Sequence, residues 1–298
     1  MSFNITKYAA IDIGSNAIRL LIATATLFKD EPPVFKKISL VRVPIRLGQD
    51  VFTKKKISKT NINRMLSSMQ SYQLLMDVHK VKKYKAYATS AMREAQNGHE
   101  VAAEILEKTG IKIEIIDGSH EAAIIAMTDL HAIIEEGKTY LYVDVGGGST
   151  EFTLFSDGKE KASKSFKIGT VRLLNDMVDK DLWDEAQSWI EAVCEPYEKV
   201  ELIGSGGNIN NIFKNSGKSI GKPLSYFYLA SYYEKLQSYS YEERIYKLGL
   251  NHDRADVIIP ACRIYLRAMK WSRAKNIYVP KIGLTDGIIK SIFNADQR

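Results

Sequence analysis

Cysteine is nearly absent: the 298 residues contain two, Cys194 and Cys262. The pair gives no metal-ligand spacing and no disulfide framework, which fits a reducing compartment, and both are expected to be buried thiols. No apolar run approaches the ~20 residues needed to cross a bilayer. The opening stretch MSFNITKYAAIDIG lacks the charged, apolar and small-residue zones of a secretory signal. Low-complexity tracts and long linkers are missing too. These absences point to a soluble, cytoplasmic globular protein. Apolar residues make up 45% of the chain, enough for a core, and at this length two domains are a better expectation than one.

What acidic charge there is falls unevenly. Residues 1–124 carry 19 Lys+Arg against 12 Asp+Glu, while residues 125–298 carry 23 of each, so the whole net charge of +7 sits in the first part. A basic half of this kind attracts nucleic acid, an acidic surface or a polyphosphate-like anion, or is simply a solvated face.

The chain also contains an echo of itself. YAAIDIGSNAIRLL from Tyr8 lies over YLYVDVGGGSTEFT from Tyr140, a displacement of 132 residues. In both copies apolar and β-branched residues precede an Asp, a small-residue turn follows, and alternation resumes, which reads as strand, turn, strand. Between the copies, Ile62, Met65, Leu66, Met69 and Met76 follow helical spacing with Thr60 or Asn61 as N-cap. Lys83–Ser90 and Ile111–Asp117 alternate as strands, a helix ends at Gly110, and another begins with Ser119 as its cap. Later, KVELIGSGGNINNIF reads as strand, glycine turn, helix, and Asp253–Trp271 and Thr285–Phe293 as helices. The fold class expected is α/β, two related domains with a cleft between them.

The turn DVGGGSTEF, Asp144 to Phe152, lacks the Lys of a Walker loop. It is followed by an alternating strand rather than the helix of a dinucleotide fingerprint, so neither mechanism applies. What remains is a hairpin turn whose backbone N–H groups converge on an anion, or an ordinary hairpin with glycine there for positive φ. Carboxylates beside a phosphate cradle repel the phosphate unless a divalent cation intervenes. Asp144 and Glu151 are therefore candidate Mg²⁺ ligands, with Ser149 and Thr150 donating to phosphate oxygens. Asp12 and the turn Gly14, Ser15, Asn16 are candidates for the opposite wall. A third turn, Gly204–Asn208 with Gly206 and Gly207 at a helix start, suits phosphate as well. HEAAI at His120 lacks the second His of a zinc-protease motif.

Taken in order, AIDIGSNAIRLLI, RLGQ, ATSAMREAQN, DGSHEA, DVGGGSTEF, IGTVRL, GSGGN and RADVI resemble the successive motifs of the exopolyphosphatase and guanosine pentaphosphate phosphohydrolase family, over nearly the whole chain. The resemblance implies two ribonuclease-H-like domains of the sugar-kinase, heat-shock chaperone and actin superfamily, in the short two-domain form. These would be residues 1–124, joined by the last helix at about 285–298, and residues 125–284. It implies Glu121 as general base and Arg93 as the contact to the terminal phosphate. Asp144 and Glu151 would serve metal and water, and Gly146, Gly147, Gly148 and Ser149 the phosphate. The expected reaction is hydrolysis of the terminal phosphoanhydride of polyphosphate or guanosine pentaphosphate with Mg²⁺, and a monovalent cation such as K⁺ as an optional second ion. No nucleic acid or membrane partner is expected, and monomer and homodimer both stay open. A non-catalytic sensor, an ATP-using kinase and an actin-like filament former are the rivals. The chain departs from the family pattern at IPACRI, Ile259–Ile264, and at GLTDG, Gly283–Gly287, where GLREG is usual.

Overall fold

The structure is a computed structural model, and it describes residues 3–29, 31–128 and 134–297. The chain divides into two compact units, residues 1–128 with 283–298, and residues 129–282.

The first unit opens with β1 (Phe3–Ile13), β2 (Ile18–Phe28) and β3 (Val34–Val43), then the helices α1 (Leu47–Lys54) and α2 (Lys59–Val78). β4 (Lys83–Ala88), α3 (Ser90–Glu94), α4 (Gly98–Thr109), β5 (Ile113–Ile115) and α5 (Gly118–Ala126) follow. The second unit contains β6 (Thr139–Val145), β7 (Thr150–Ser156), β8 (Lys159–Phe166), α6 (Thr170–Leu174), α7 (Lys180–Cys194), β9 (Val200–Ser205), α8 (Gly207–Asn215) and β10 (Leu224–Ser225). It continues through α9 (Tyr226–Ser238), α10 (Tyr241–Leu248), α11 (His252–Ala255), α12 (Ile258–Trp271) and β11 (Asn276–Tyr278). The last helix, α13 (Leu284–Asp296), returns to the first unit. Among the described residues no helix is long and apolar enough to cross a membrane.

The two sheets share one plan. Unit 1 has the order β3-β2-β1-β4-β5, and unit 2 the order β10-β11-β9-β6-β7-β8. In each, an antiparallel three-stranded meander is extended by strands parallel to its first member, β4 and β5 in one and β9 and β11 in the other. Alternation dictates the hairpins: Leu141, Val143 and Val145 of β6 and Phe152 and Leu154 of β7 all enter the unit 2 core. Leu202 of β9 joins them, with Ala261, Ala268 and Met269 of α12 and Ala186 and Ile190 of α7. The unit 1 edge strand β3 is blunted by Lys36, Lys37 and a bulge opposite Ile22/Ala23. α13 closes that unit by setting Phe293 edge-on to Tyr8 and Phe35. Asp296 at its end accepts from Tyr8 Oη at 2.6 Å and Lys82 Nζ at 2.9 Å. Both cysteines are buried, as expected.

Several local readings need correction. α2 is capped by Ser58, whose hydroxyl accepts from Asn61 N–H, because Ser58 is the extended residue where the chain enters the helix. α5 is capped by Asp117 rather than Ser119. The Asp117 carboxylate accepts from His120 N–H at 2.7 Å, and Ser119 itself donates to it. The part of this expected helix at 129–133 lies outside the described residues. The helix expected over Asp253–Trp271 is two, α11 and α12. Pro260 falls in the first turn of α12, where its missing N–H costs no hydrogen bond.

Candidate phosphate-binding turns and acid pair

The echo noticed in the sequence is a hydrogen-bonded equivalence. Gly14 N–H donates to Ala17 O at 3.1 Å, and 132 residues later Gly146 N–H donates to Ser149 O at 2.9 Å. In unit 1 the turn carbonyls are held from α1: Arg46 N–H reaches Asn16 O at 3.0 Å and Gly48 N–H reaches Ser15 O at 2.7 Å. In unit 2 they are held from α6, Thr170 N–H to Gly146 O at 3.0 Å and Val171 N–H to Gly147 O at 2.9 Å. Arg172 Nε adds a bond to Gly148 O at 2.7 Å. With three successive carbonyls tied back, the turn presents the opposite side of its peptide planes, the amides. For the N–H groups of Gly147, Gly148 and Ser149 no acceptor is found among the described residues. That is the arrangement of an anion nest.

Positive φ plays no part here, since Gly146, Gly147 and Gly148 all lie outside the left-handed region. The requirement is close approach. A Cβ on Gly146 would stand 3.0 Å from Ser149 O, and one on Gly169 would stand 2.3 Å from Gly147 O. Thr150 is also corrected. Its hydroxyl donates inward to Ile168 O at 2.5 Å and anchors the turn instead of facing a phosphate.

Strand register decides the chemistry of each copy. In unit 2 Asp144 stands directly opposite Glu151, and in unit 1, at the same offset, Asp12 stands opposite Arg19. Side chains directly across an antiparallel pair are neighbours on one face. Unit 2 therefore opposes two acids, while unit 1 forms an ion pair, Arg19 Nη1 to Asp12 Oδ2 at 2.8 Å. Burial pushes the Asp12 carboxyl above its usual range, and Arg19 opposes that rise. The charge that the sequence offered to a metal at Asp12 is spent on the guanidinium.

Glu151 is buried, and its Oε1 accepts from Ser149 Oγ at 2.6 Å and Ser165 Oγ at 2.9 Å. Ser149 has thereby committed its hydroxyl proton, so its offer to a phosphate is the backbone N–H. Asp144 lies beside Ser205 of β9. Burial, then the field of Asp144, pushes the phenols of Tyr142 and Tyr265 well above their ordinary values, so both stay protonated. Gly206 closes the same end of the sheet: at φ 110 its Cβ would stand 3.0 Å from Val145 O and 3.4 Å from Asp144 Oδ1. At the following Gly207 a Cβ would fall 2.5 Å from Arg254 Nη1, so the N-terminus of α8 carries a guanidinium against its backbone. Among the described residues no three His, Cys, Asp or Glu side chains form a metal cluster. A pair of carboxylates is the donor set Mg²⁺ takes when it keeps waters and phosphate oxygens in its remaining positions, so Asp144 and Glu151 fit that ion.

In unit 1 the remaining candidates gather at the carboxyl ends of β1, β4 and β5, the end of a parallel sheet where ligands bind. Ser15 and Ser90 share a buried hydroxyl contact at 2.9 Å, tying the Gly14–Asn16 turn to α3. Arg93 Nη1 donates to Ile116 O at 2.5 Å, at the entrance to α5, and Glu121 lies in the first turn of that helix. The motif reading assigned no role to Arg19, Gly169, Arg172 or Arg254. Arg254 was visible only as a letter of RADVI.

Two α/β units with this strand order and a phosphate-type turn in each define the actin-like ATPase, ribonuclease-H-like fold. A crystal structure of an exopolyphosphatase from Cytophaga hutchinsonii shares it, with a TM-score of 0.86 at 23% identity over 97% of this chain and 98% of that one. The Aquifex aeolicus Ppx/GppA family member is 25% identical, with a TM-score of 0.77 over 99% and 100% of the two chains. The chain matches the Ppx/GppA phosphatase family over residues 28–295 and belongs to it. Exopolyphosphatase 2 of Mycobacterium tuberculosis is 33% identical over 185 residues, 59% of this chain and 56% of that protein. The chain spans between 25% and 58% of the length of the curated relatives it matches first.

The family departures have local reasons. Thr285, where the family pattern carries Arg, is buried in α13, and Asp286, where the pattern carries Glu, accepts from Gly283 N–H at 3.1 Å and pairs with Lys37 at 2.7 Å, so it serves as the cap of α13. Ala261 and Cys262 of IPACRI are core residues.

Proposed function

We propose that the chain hydrolyses the terminal phosphoanhydride of inorganic polyphosphate. The observation that carries this reading is the Gly146–Ser149 turn, whose carbonyls are tied back to α6 and whose amides lie beside the acid pair Asp144 and Glu151. Relatives named as exopolyphosphatases support the choice of substrate.

In this reading the turn amides bind the terminal phosphate, and the Arg93 guanidinium neutralises charge on its oxygens, since phosphoryl transfer is catalysed mainly by positioning and electrostatics. Glu121 orients the attacking water and takes its proton as the new P–O bond forms and the bridging P–O bond breaks. The shortened chain leaves as an anion. Asp144 and Glu151 would hold Mg²⁺, which when bound supplies neutralisation of the transferring phosphate oxygens. Ser149 and Ser165 fix the direction of Glu151. Ser15 and Asn16 on one turn and Gly206 and Gly207 on another would supply further backbone donors, while the N–H of Gly14, also a sequence candidate, is engaged by Ala17 O within its turn.

The test is phosphate release from long polyphosphate, tripolyphosphate and guanosine pentaphosphate, with Mg²⁺ and with chelator. Release from polyphosphate that stops with chelator is expected. Faster release from guanosine pentaphosphate would move the assignment to the nucleotide. Binding of polyphosphate without release of phosphate from any substrate would overturn hydrolysis in favour of a sensor.

A further inference from the structure

The motif IPACRIYLRAMKW, which the reaction leaves unused, places three cations on one side of α12. Arg263, Arg267 and Lys270 stand at i, i+4 and i+7, so they share a helix face and span ~10 Å of its length. The other side of the helix is core. Like charges four residues apart destabilise a helix, yet here they are held in place. The Arg267 guanidinium lies 4.0 Å from the centre of the Trp183 ring and 5.8 Å from that of Trp271, and Arg263 lies 5.6 Å from Trp183. Trp183 and Trp271 themselves meet edge-on at 5.9 Å.

Stacking uses the flat face of a guanidinium and leaves its edge donors available. No side-chain hydrogen bond or ion pair engages Arg263, Arg267 or Lys270 among the described residues. Asp184 and Tyr233 are near enough to act on Arg267 electrostatically without bonding to it. The result is two guanidiniums positioned by tryptophan rings and an ammonium on the same helix face, none of them hydrogen-bonded or ion-paired to a side chain among the described residues.

We propose that Arg263, Arg267 and Lys270 form a docking stripe for a linear polyphosphate segment, separate from the glycine turns. Repeating phosphates match repeating cations along a rigid helix, whereas a single phosphate would satisfy only one of them. The assignment rests on the polyphosphate reading above. In that frame the stripe makes affinity depend on chain length: tripolyphosphate reaches the turns alone, and a long chain engages both.

The experiment compares wild type with R263Q/R267Q/K270Q, and with R267K, which keeps the charge but loses the stacked fork. For long polyphosphate the triple variant is expected to raise KM at least tenfold. Its kcat, and its KM for tripolyphosphate, should stay within about twofold, with R267K in between. An unchanged KM for long chains, or equal rises for both substrates, overturns the stripe. Binding is read separately, without Mg²⁺, from tryptophan emission, since two of the three tryptophans lie in the cluster. Long polyphosphate should bind the triple variant at least tenfold more weakly, with a slope of log Kd against log salt shallower by about 2. Equal binding by both proteins, or equally tight binding of a single-stranded RNA of the same charge, refutes a polyphosphate stripe. Absent phosphate release with stripe-dependent binding would remove the hydrolase reading and leave the stripe standing.

Discussion

The substitution Gly169→Ala tests whether the tied-back turn positions a phosphate. An alanine Cβ at 169 would lie 2.3 Å from the carbonyl oxygen of Gly147 and 2.5 Å from the carbonyl carbons of Gly147 and Gly148. Real contacts of this kind essentially never fall below 3.0 Å. About 0.7 Å of separation is therefore missing, and only backbone borders the gap. The neighbouring bonds, Thr170 N–H to Gly146 O and Val171 N–H to Gly147 O, must stretch or break to provide it. Overpacking of this kind costs ~1–3 kcal/mol of stability. Displacing a positioning group by ~1 Å costs ~100-fold in rate, or ~2.7 kcal/mol of transition-state stabilisation. G169A is thus expected to fold, to lose ~1–3 kcal/mol in urea denaturation, and to show kcat/KM for polyphosphate about 100-fold lower. Gly110→Ala is the control: at φ 71, with nothing within 4 Å of the added Cβ, it should cost ~1–2 kcal/mol of left-handed strain and leave kinetics unchanged. A G169A protein that is destabilised as calculated but turns over within threefold of wild type would refute the positioning role of the turn.

Replacing Glu121 by Gln should lower kcat by ~10²–10⁴-fold with little change in polyphosphate binding, measured by phosphate release and by titration. Wild-type kcat in E121Q would remove it as the base. Asp144→Asn and Glu151→Gln should each raise the Mg²⁺ concentration at half-maximal activity at least tenfold, whereas Asp12→Asn, already neutralised by Arg19, should act mainly through stability. Equal Mg²⁺ dependence for all three would contradict the acid pair. Asp296 is held below the usual carboxylate range by Lys82, Lys83 and Tyr8. A depressed folded-state pKa contributes stability above the unfolded value of about 3.9 and loses it as pH falls further. Asp296→Asn should therefore lower the urea midpoint at pH 7, with the difference from wild type shrinking below about pH 4. A constant difference from pH 7 to pH 3 would exclude this source.

Much of the architecture was legible because it rests on short-range patterning. The β1–β2 and β6–β7 hairpins follow from alternation around a small-residue turn, and the end of α4 from Gly110, whose left-handed conformation and N–H bond to Leu106 O need no distant partner. The caps of α2 and α5 were misassigned by two or three residues because several adjacent side chains can cap and only the entering backbone angle chooses among them. The split of Asp253–Trp271 was hidden because helical periodicity runs through it. Thr150 was misread for a different reason: its partner, Ile168, is 18 residues away and reached only after β7 and β8 have paired.

By itself the sequence determined the duplicated plan and the two turns at equal offset, with Asp144 and Glu151 as candidates, since these are carried by residue types at short spacings; the family came from the order of eight motifs along the chain, and Glu121 and Arg93 became candidates through that resemblance. Tertiary structure alone decided what each turn offers. Folding brings Thr170, Val171 and Arg172 onto the carbonyls of the second turn, so its amides face outward. Strand register sets Arg19 against Asp12 but Glu151 against Asp144, which separates an ion pair from an acid pair in two otherwise equivalent hairpins. Contacts between residues distant in the chain depend on how the sheets and helices pack, and no local pattern encodes that.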